Sequence, residues 1–188
     1  MFAPDQDPTI PGFHSEVVLG IDPGLTRCGY AVLKRISATE ITVLALGVIR
    51  TSSGDAVPAR LGEIHHEVDA LLAEHRPGAV AVEQVFFQTN VRTAMSVGQA
   101  SGVVLALAAR RGCVVAQYTP SQVKSTVAGW GSADKDQVGR MVQQRLGLRN
   151  VPSPADVADA AAIALCHCSL APYVARRDAA MAARGIAR

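Results

Sequence analysis

Aromatic side chains are scarce in this chain: one Trp, three Tyr and four Phe among 188 residues, or 4%. The core must therefore be packed largely from Val, Leu, Ile and Ala, within an apolar fraction of 49%. Cysteine is sparse as well. Cys28, Cys113, Cys166 and Cys168 form no CxxC pair and no frame of a small secreted domain, so reduced thiols in the cytoplasm are expected. Cys166-His167-Cys168 lacks the second ligand pair that a structural zinc site requires. Long hydrophobic runs are missing too. The longest, near residues 103–109, is far short of a membrane span, so no membrane partner is expected. The N-terminus shows no basic segment followed by an apolar one, so no signal peptide is read. Charge of either sign is nearly balanced, at net +2 with a pI near 8.5, which alone is a weak signal for nucleic acid. No internal repeat is present. The length suits one domain with a real core.

What is present is organised around residues 17–24, Val-Val-Leu-Gly-Ile-Asp-Pro-Gly. A short apolar run bounded by a turn reads as a buried strand, here residues 17–21. It ends on Asp22, and a carboxylate near a core needs a partner or a shifted pKa. A metal ion is one such partner; an ordinary turn cap is the plain alternative. Residues 1–15 read as a disordered leader, and 29–36 and 41–51 as strands joined closely enough to be antiparallel neighbours. Residues 59–74 have helical spacing, with Leu61, Ile64, Val68, Leu71 and Leu72 on one face.

The next strand, 79–82, also ends on an acid, Glu83. Sites in open α/β sheets form outside the carboxyl ends of parallel strands, and the helix before Glu83 supplies the crossover that parallel pairing needs. Asp22 and Glu83 are thus expected at one edge of the sheet. Phe86 and Phe87 follow directly; one exposed aromatic there could stack on a base, and burial of both is the competing reading. Residues 90–111 read as a helix with a small-residue stripe at Ala94, Gly98, Gly102 and Ala106. A strand at 114–118 and helices at 121–128 and 133–146 follow, carrying Lys124 and Lys135. The last helix begins near Pro154. Its Asp156 and Asp159 share a face, in a segment otherwise built of Ala, Val, Ile and Leu. Stabilisation of the helix N-terminus explains such acids taken alone. Beside Asp22 and Glu83 they make four carboxylates, enough oxygen donors for two Mg²⁺ or Mn²⁺ ions and for phosphodiester hydrolysis. Arg176, Arg177, Arg184 and Arg188 give residues 173–188 the look of a basic tail after a domain spanning 16–172.

Gly20-Ile21-Asp22-Pro23-Gly24, Glu83-Gln84-Val85-Phe86, Gly98-Gln99-Ala100-x-Gly102, Gln122-Val123-Lys124 and Asp156-x-x-Asp159-Ala160, in this order, resemble the RuvC family of bacterial Holliday-junction resolvases over about residues 17–170. The resemblance implies an RNase H-like α/β fold, a five-stranded mixed sheet flanked by helices. It implies a homodimer that makes paired, symmetric nicks in four-way DNA junctions during recombination and repair. The ends left are 5′-phosphate and 3′-hydroxyl. It implies two Mg²⁺ per subunit, with Mn²⁺ able to substitute, and a branch-migration partner of the RuvA–RuvB type. By position, Asp22, Glu83, Asp156 and Asp159 match the family's catalytic and metal-binding acids, although some members carry His at the place of Asp156. Phe86 matches the aromatic that stacks at the junction, with Phe87 beside it, and Lys124 and Lys135 match basic residues near the scissile phosphate. Gly20 to Thr26 also resembles the first phosphate loop of actin-like kinases, but the second lobe and second loop of those proteins are missing from this sequence. An inactive DNA-binding module is a third reading, against which the four intact carboxylates argue.

Overall fold

The computed structural model describes residues 16–84 and 91–183, with side chains described at 16–84 and 94–173. Three antiparallel strands come first: β1 (Glu16–Asp22), β2 (Arg27–Arg35) and β3 (Ile41–Arg50). Helix α1 (Val57–His75) then crosses over to β4 (Ala79–Glu83), and α2 (Val91–Arg110) leads to β5 (Val114–Tyr118). Helices α3 (Pro120–Ala128), α4 (Lys135–Arg145) and α5 (Ala155–Ala183) complete the described chain. The sheet order is β3-β2-β1-β4-β5, with β1, β4 and β5 parallel. The expected parallel pairing of the two acid-ending strands is present, and so are the antiparallel neighbours before them.

Strand alternation divides the core into two layers. Leu19, Ile21, Val80 and Val82 face α1 and α2, joining Ile64, Val68, Leu72, Val104 and Leu107. Val18, Ala31, Ala79 and Ala81 face the other way, onto Ala160, Ala161, Ala164 and Leu165 of α5, with α3 and α4 alongside. The small side chains on this second face let α5 lie almost on the sheet. Two glycines take the closest approach. A Cβ on Gly20 would collide with the Ala160 carbonyl and stand 2.7 Å from Ala164 Cβ; one on Gly29 would collide with the Asp156 carbonyl oxygen and stand 2.6 Å from its carbon. Residues 160–168 of α5 are buried, as expected for an apolar helix at the centre of a domain.

Helix α2 buries Ala100, Ser101, Val104, Leu107 and Ala108. Its stripe at Gly98, Gly102 and Ala106 therefore turns away from the chain's own core. Nothing lies within 4 Å of a Cβ placed on Gly98 or Gly102, and Met95 is 60% exposed. Gly98, Gly102 and Ala106 thus do not pack on the chain's own sheet.

His167 of the Cys166-His167-Cys168 segment is held elsewhere: its Nδ1 lies 2.8 Å from the Tyr118 hydroxyl, and its Nε2 lies 3.7 Å from Glu16. Helix α5 runs on past the expected domain end at residue 172, with Pro172 inside it. Residues 1–15, and with them the expected leader, lie outside the described residues. Among the described residues no helix is long and apolar enough to cross a membrane.

Candidate active site

The same alternation that splits the core sets the direction of the acids. Asp22 has the parity of Val18 and Gly20, and Glu83 that of Ala79 and Ala81, so both project on the α5 side. The β1–β4 register pairs Ile21 with Val82, which leaves Asp22 and Glu83 as the next residues of each strand, side by side at the carboxyl edge. Asp22 is also the cross-strand partner of Gly29, whose missing side chain admits the first turn of α5. Asp156 sits on that turn, and Asp159 follows three residues on, on the same face of the helix. Four carboxylates from two strands and one helix are thus brought to one place.

Their electrostatics report the crowding. Burial, and then the charges of Asp159, Glu83 and Asp156, push the Asp22 carboxyl up from 3.8 to about 7, with Lys135 opposing. Glu83 is raised by burial and by Asp159, against Lys135 and Lys124. Like charges held together in a partly dry site disfavour full ionisation. Cations answer from the rim. Lys135 Nζ bonds Asp159 Oδ2 at 2.9 Å. That bond, ahead of the acids' charges, raises the lysine's own pKa. Lys135 is placed by a capping box, in which Asp134 accepts from Gln137 N–H and Gln137 accepts from Asp134 N–H. Lys124, half-buried on α3, acts on Glu83.

The turn between Asp22 and β2 is pinned from behind. Arg60, buried on α1, donates from Nε to Thr51 Oγ1 at 2.8 Å and from a terminal nitrogen to Thr26 Oγ1 at 2.7 Å, while Thr51 Oγ1 donates to the Leu25 carbonyl. Sequence reading missed Arg60, and also Arg27, whose Nε stands 3.3 Å from Asp156 Oδ2. Glycine inside a strand is a signal of close backbone approach. Gly20 and Gly29 carried that signal and it was not used. Phe86 and Phe87 lie outside the described residues.

The donor set fits a hard divalent cation. Every donor is a carboxylate oxygen, and Asp156 Oδ2 is buried with no hydrogen bond despite its ion-pair partner. The acids do not yet form a closed cage. Among the described residues no three Asp, Glu, His or Cys side chains stand close enough to coordinate an ion together; Asp159 pairs with Lys135 and Asp156 with Arg27.

Sheet order and helix placement define the class: an RNase H-like domain, with acids at the carboxyl edge of its parallel strands. A family model described as crossover junction endodeoxyribonuclease RuvC matches residues 18–167. The chain is 51% identical over 166 residues to the RuvC crossover junction endodeoxyribonuclease of Streptomyces griseus, spanning 88% of this chain and 81% of that protein. It is 51% identical over 171 residues to that of Frankia alni, spanning 91% and 87%. Thermus thermophilus RuvC in complex with a Holliday junction substrate superposes with a TM-score of 0.81 at 42% identity, covering 85% of this chain and 96% of that one. The yeast mitochondrial Holliday junction resolvase Ydc2 shares the fold, with a TM-score of 0.64 at 15% identity over 88% of this chain and 85% of that one. The chain belongs to the RuvC family of crossover junction endodeoxyribonucleases, metal-dependent enzymes that hydrolyse phosphodiester bonds in DNA.

Proposed function

We propose that this chain is a homodimeric resolvase that cuts four-way DNA junctions by paired, symmetric nicks in recombination and repair. The observation that carries the reading is the gathering of Asp22, Glu83, Asp156 and Asp159 at one sheet edge, where burial first and then the charges of the other acids raise Asp22 to about 7. These residues would hold two Mg²⁺ ions, with Mn²⁺ able to replace them. When bound, such ions supply Lewis-acid stabilisation and an acidified water at neutral pH. The chain's own part is to position. Asp22 and Glu83 are fixed by the strand ends, and Asp156 and Asp159 by the seat of α5 on Gly20 and Gly29. Lys135 and Lys124 face the acids and meet the scissile phosphate, drawing it over the site. Products carry 5′-phosphate and 3′-hydroxyl ends.

A junction has two equivalent strands to cut, so one site per chain calls for a two-fold dimer. The outward stripe of α2, with Met95 exposed beside open Gly98 and Gly102, supports that helix as the shared face. Phe86, aided by Phe87, stacks on a base unpaired at the crossover. A RuvA–RuvB-type motor is the expected partner, and the cytoplasm the expected place of action.

The test separates binding from chemistry. Asp22→Asn, Glu83→Gln and Asp159→Asn should each retard a four-way junction in a mobility-shift gel as the parent chain does, yet leave it uncut with Mg²⁺, because most of the affinity comes from phosphate contacts elsewhere. Near-normal nicking by Asp22→Asn would remove the acid cluster from the reaction.

A further inference from the structure

We propose that Arg27 and Arg50 form a phosphate-binding pair that takes the DNA backbone on the side of the acids opposite Lys124 and Lys135. The inference rests on the nuclease reading above and extends it with a contact surface.

Arg27 opens β2 and Arg50 closes β3, and the antiparallel register makes them direct cross-strand partners. Like charges placed directly opposite in a sheet repel. One of the two is partly neutralised. Arg27 reaches Asp156 Oδ2 at 3.3 Å, with 54% of its side chain exposed, and that oxygen gains no hydrogen bond from it. The contact is therefore a loose charge pair that leaves the guanidinium's donors available. Arg50 is exposed and forms no ion pair or hydrogen bond among the described residues. Beside it lies a cavity of about 320 Å³, walled by Leu46, Val48 and Val157 and edged by Ser153 and Pro154, where α5 begins. The pair thus carries a net positive charge, with space next to it, at the rim of a site built for a phosphodiester.

The geometry places cations on both flanks of the four carboxylates. Lys135 contacts Asp159 from α4, and Arg27 contacts Asp156 from β2. A strand drawn across the acids by the lysines would carry its next phosphates toward these arginines. Guanidinium matches phosphate through paired N–H donors, so Arg rather than Lys suits this place.

The test measures junction binding with metal chelated, so that no cutting occurs, over a range of salt concentrations. Each phosphate contact contributes about 0.9 to the slope of log affinity against log salt. Arg27→Gln and Arg50→Gln should each lower the slope by about one. Both together should lower it by about two, with circular dichroism unchanged. Arg27→Lys should keep the parent slope, and Arg111→Gln, which breaks a distant pair with Asp69, should leave it unaltered. Unchanged slopes in the Arg27 and Arg50 variants, with the parent binding tightly, would overturn the pair alone. A parent chain that does not bind junctions would overturn the nuclease reading and the pair with it. A fall in affinity with no change of slope would assign the arginines a structural role and likewise refute the contact.

Discussion

Replacing Asp22 with Asn should make the metal-free protein more stable, and by an amount that depends on pH. The folded chain raises this carboxyl from 3.8 to about 7, through burial first and then the charges of Asp159, Glu83 and Asp156. A raised acid holds its proton in the fold where the unfolded chain has lost it. The associated stability is complete below the unfolded value of 3.8 and is lost as pH rises through about 7. A shift of about three units at 1.36 kcal/mol each gives roughly 4 kcal/mol. Relaxation of the neighbouring acids reduces this, so the expected gain for Asp22→Asn is about 2–4 kcal/mol at pH 8. Asn keeps the shape and cannot ionise, so the gain should shrink as pH falls from about 7 toward 4. Urea unfolding in chelator across that range measures it. Added Mg²⁺ should then stabilise the parent chain more than the variant. A difference between the two proteins that is the same at every pH, or a variant less stable throughout, would refute the reasoning that the fold holds the Asp22 carboxyl raised.

Other substitutions probe the scaffold and the contacts. Gly29→Ala puts a Cβ into the Asp156 carbonyl; it should cost about 1–3 kcal/mol in thermal or urea unfolding and weaken Mg²⁺ binding by calorimetry, because the helix carrying two of the acids must lift. Phe86→Ala should lose about 1–3 kcal/mol of junction binding, and a junction with mismatches at the crossover should be cleaved better than a fully paired one. Failure of that variant to fold would assign Phe86 to the core. Gly98→Leu has open space for its side chain within the chain, so it should fold normally by circular dichroism, sediment as a monomer and lose coordinated cutting. A fully active dimer would exclude this face of α2 from the interface.

The order of elements and the convergence of Asp22 with Glu83 were legible because both rest on local signals: apolar runs ending on acids, and a helix between them long enough to force a parallel crossover. The seat of α5 was legible only in part. Asp156 and Asp159 stood out against an apolar helix, but what brings them to Asp22 is the pair of glycines in β1 and β2, whose meaning depends on which helix lies above them. Arg27, Arg50 and Arg60 were not legible as site residues. Arginines are common on surfaces, and it takes the β2–β3 register to set Arg27 opposite Arg50, and the packing of α1 to put Arg60 behind the turn. The small-residue stripe of α2 was visible, yet its orientation was not. Only the buried positions Ala100, Val104 and Leu107 show which way it turns. The domain was expected to end at residue 172, and helix α5 runs through that position into the arginine-rich stretch.

Whether four carboxylates at one sheet edge make this chain a junction resolvase is decided by mapping cleavage on an end-labelled four-way junction. With Mg²⁺, paired nicks at symmetry-related positions are expected, with 5′-phosphate ends that a ligase can reseal and no comparable cutting of linear duplex of the same sequence. Junctions left intact, or linear duplex cut as readily as the junction, would contradict that expectation.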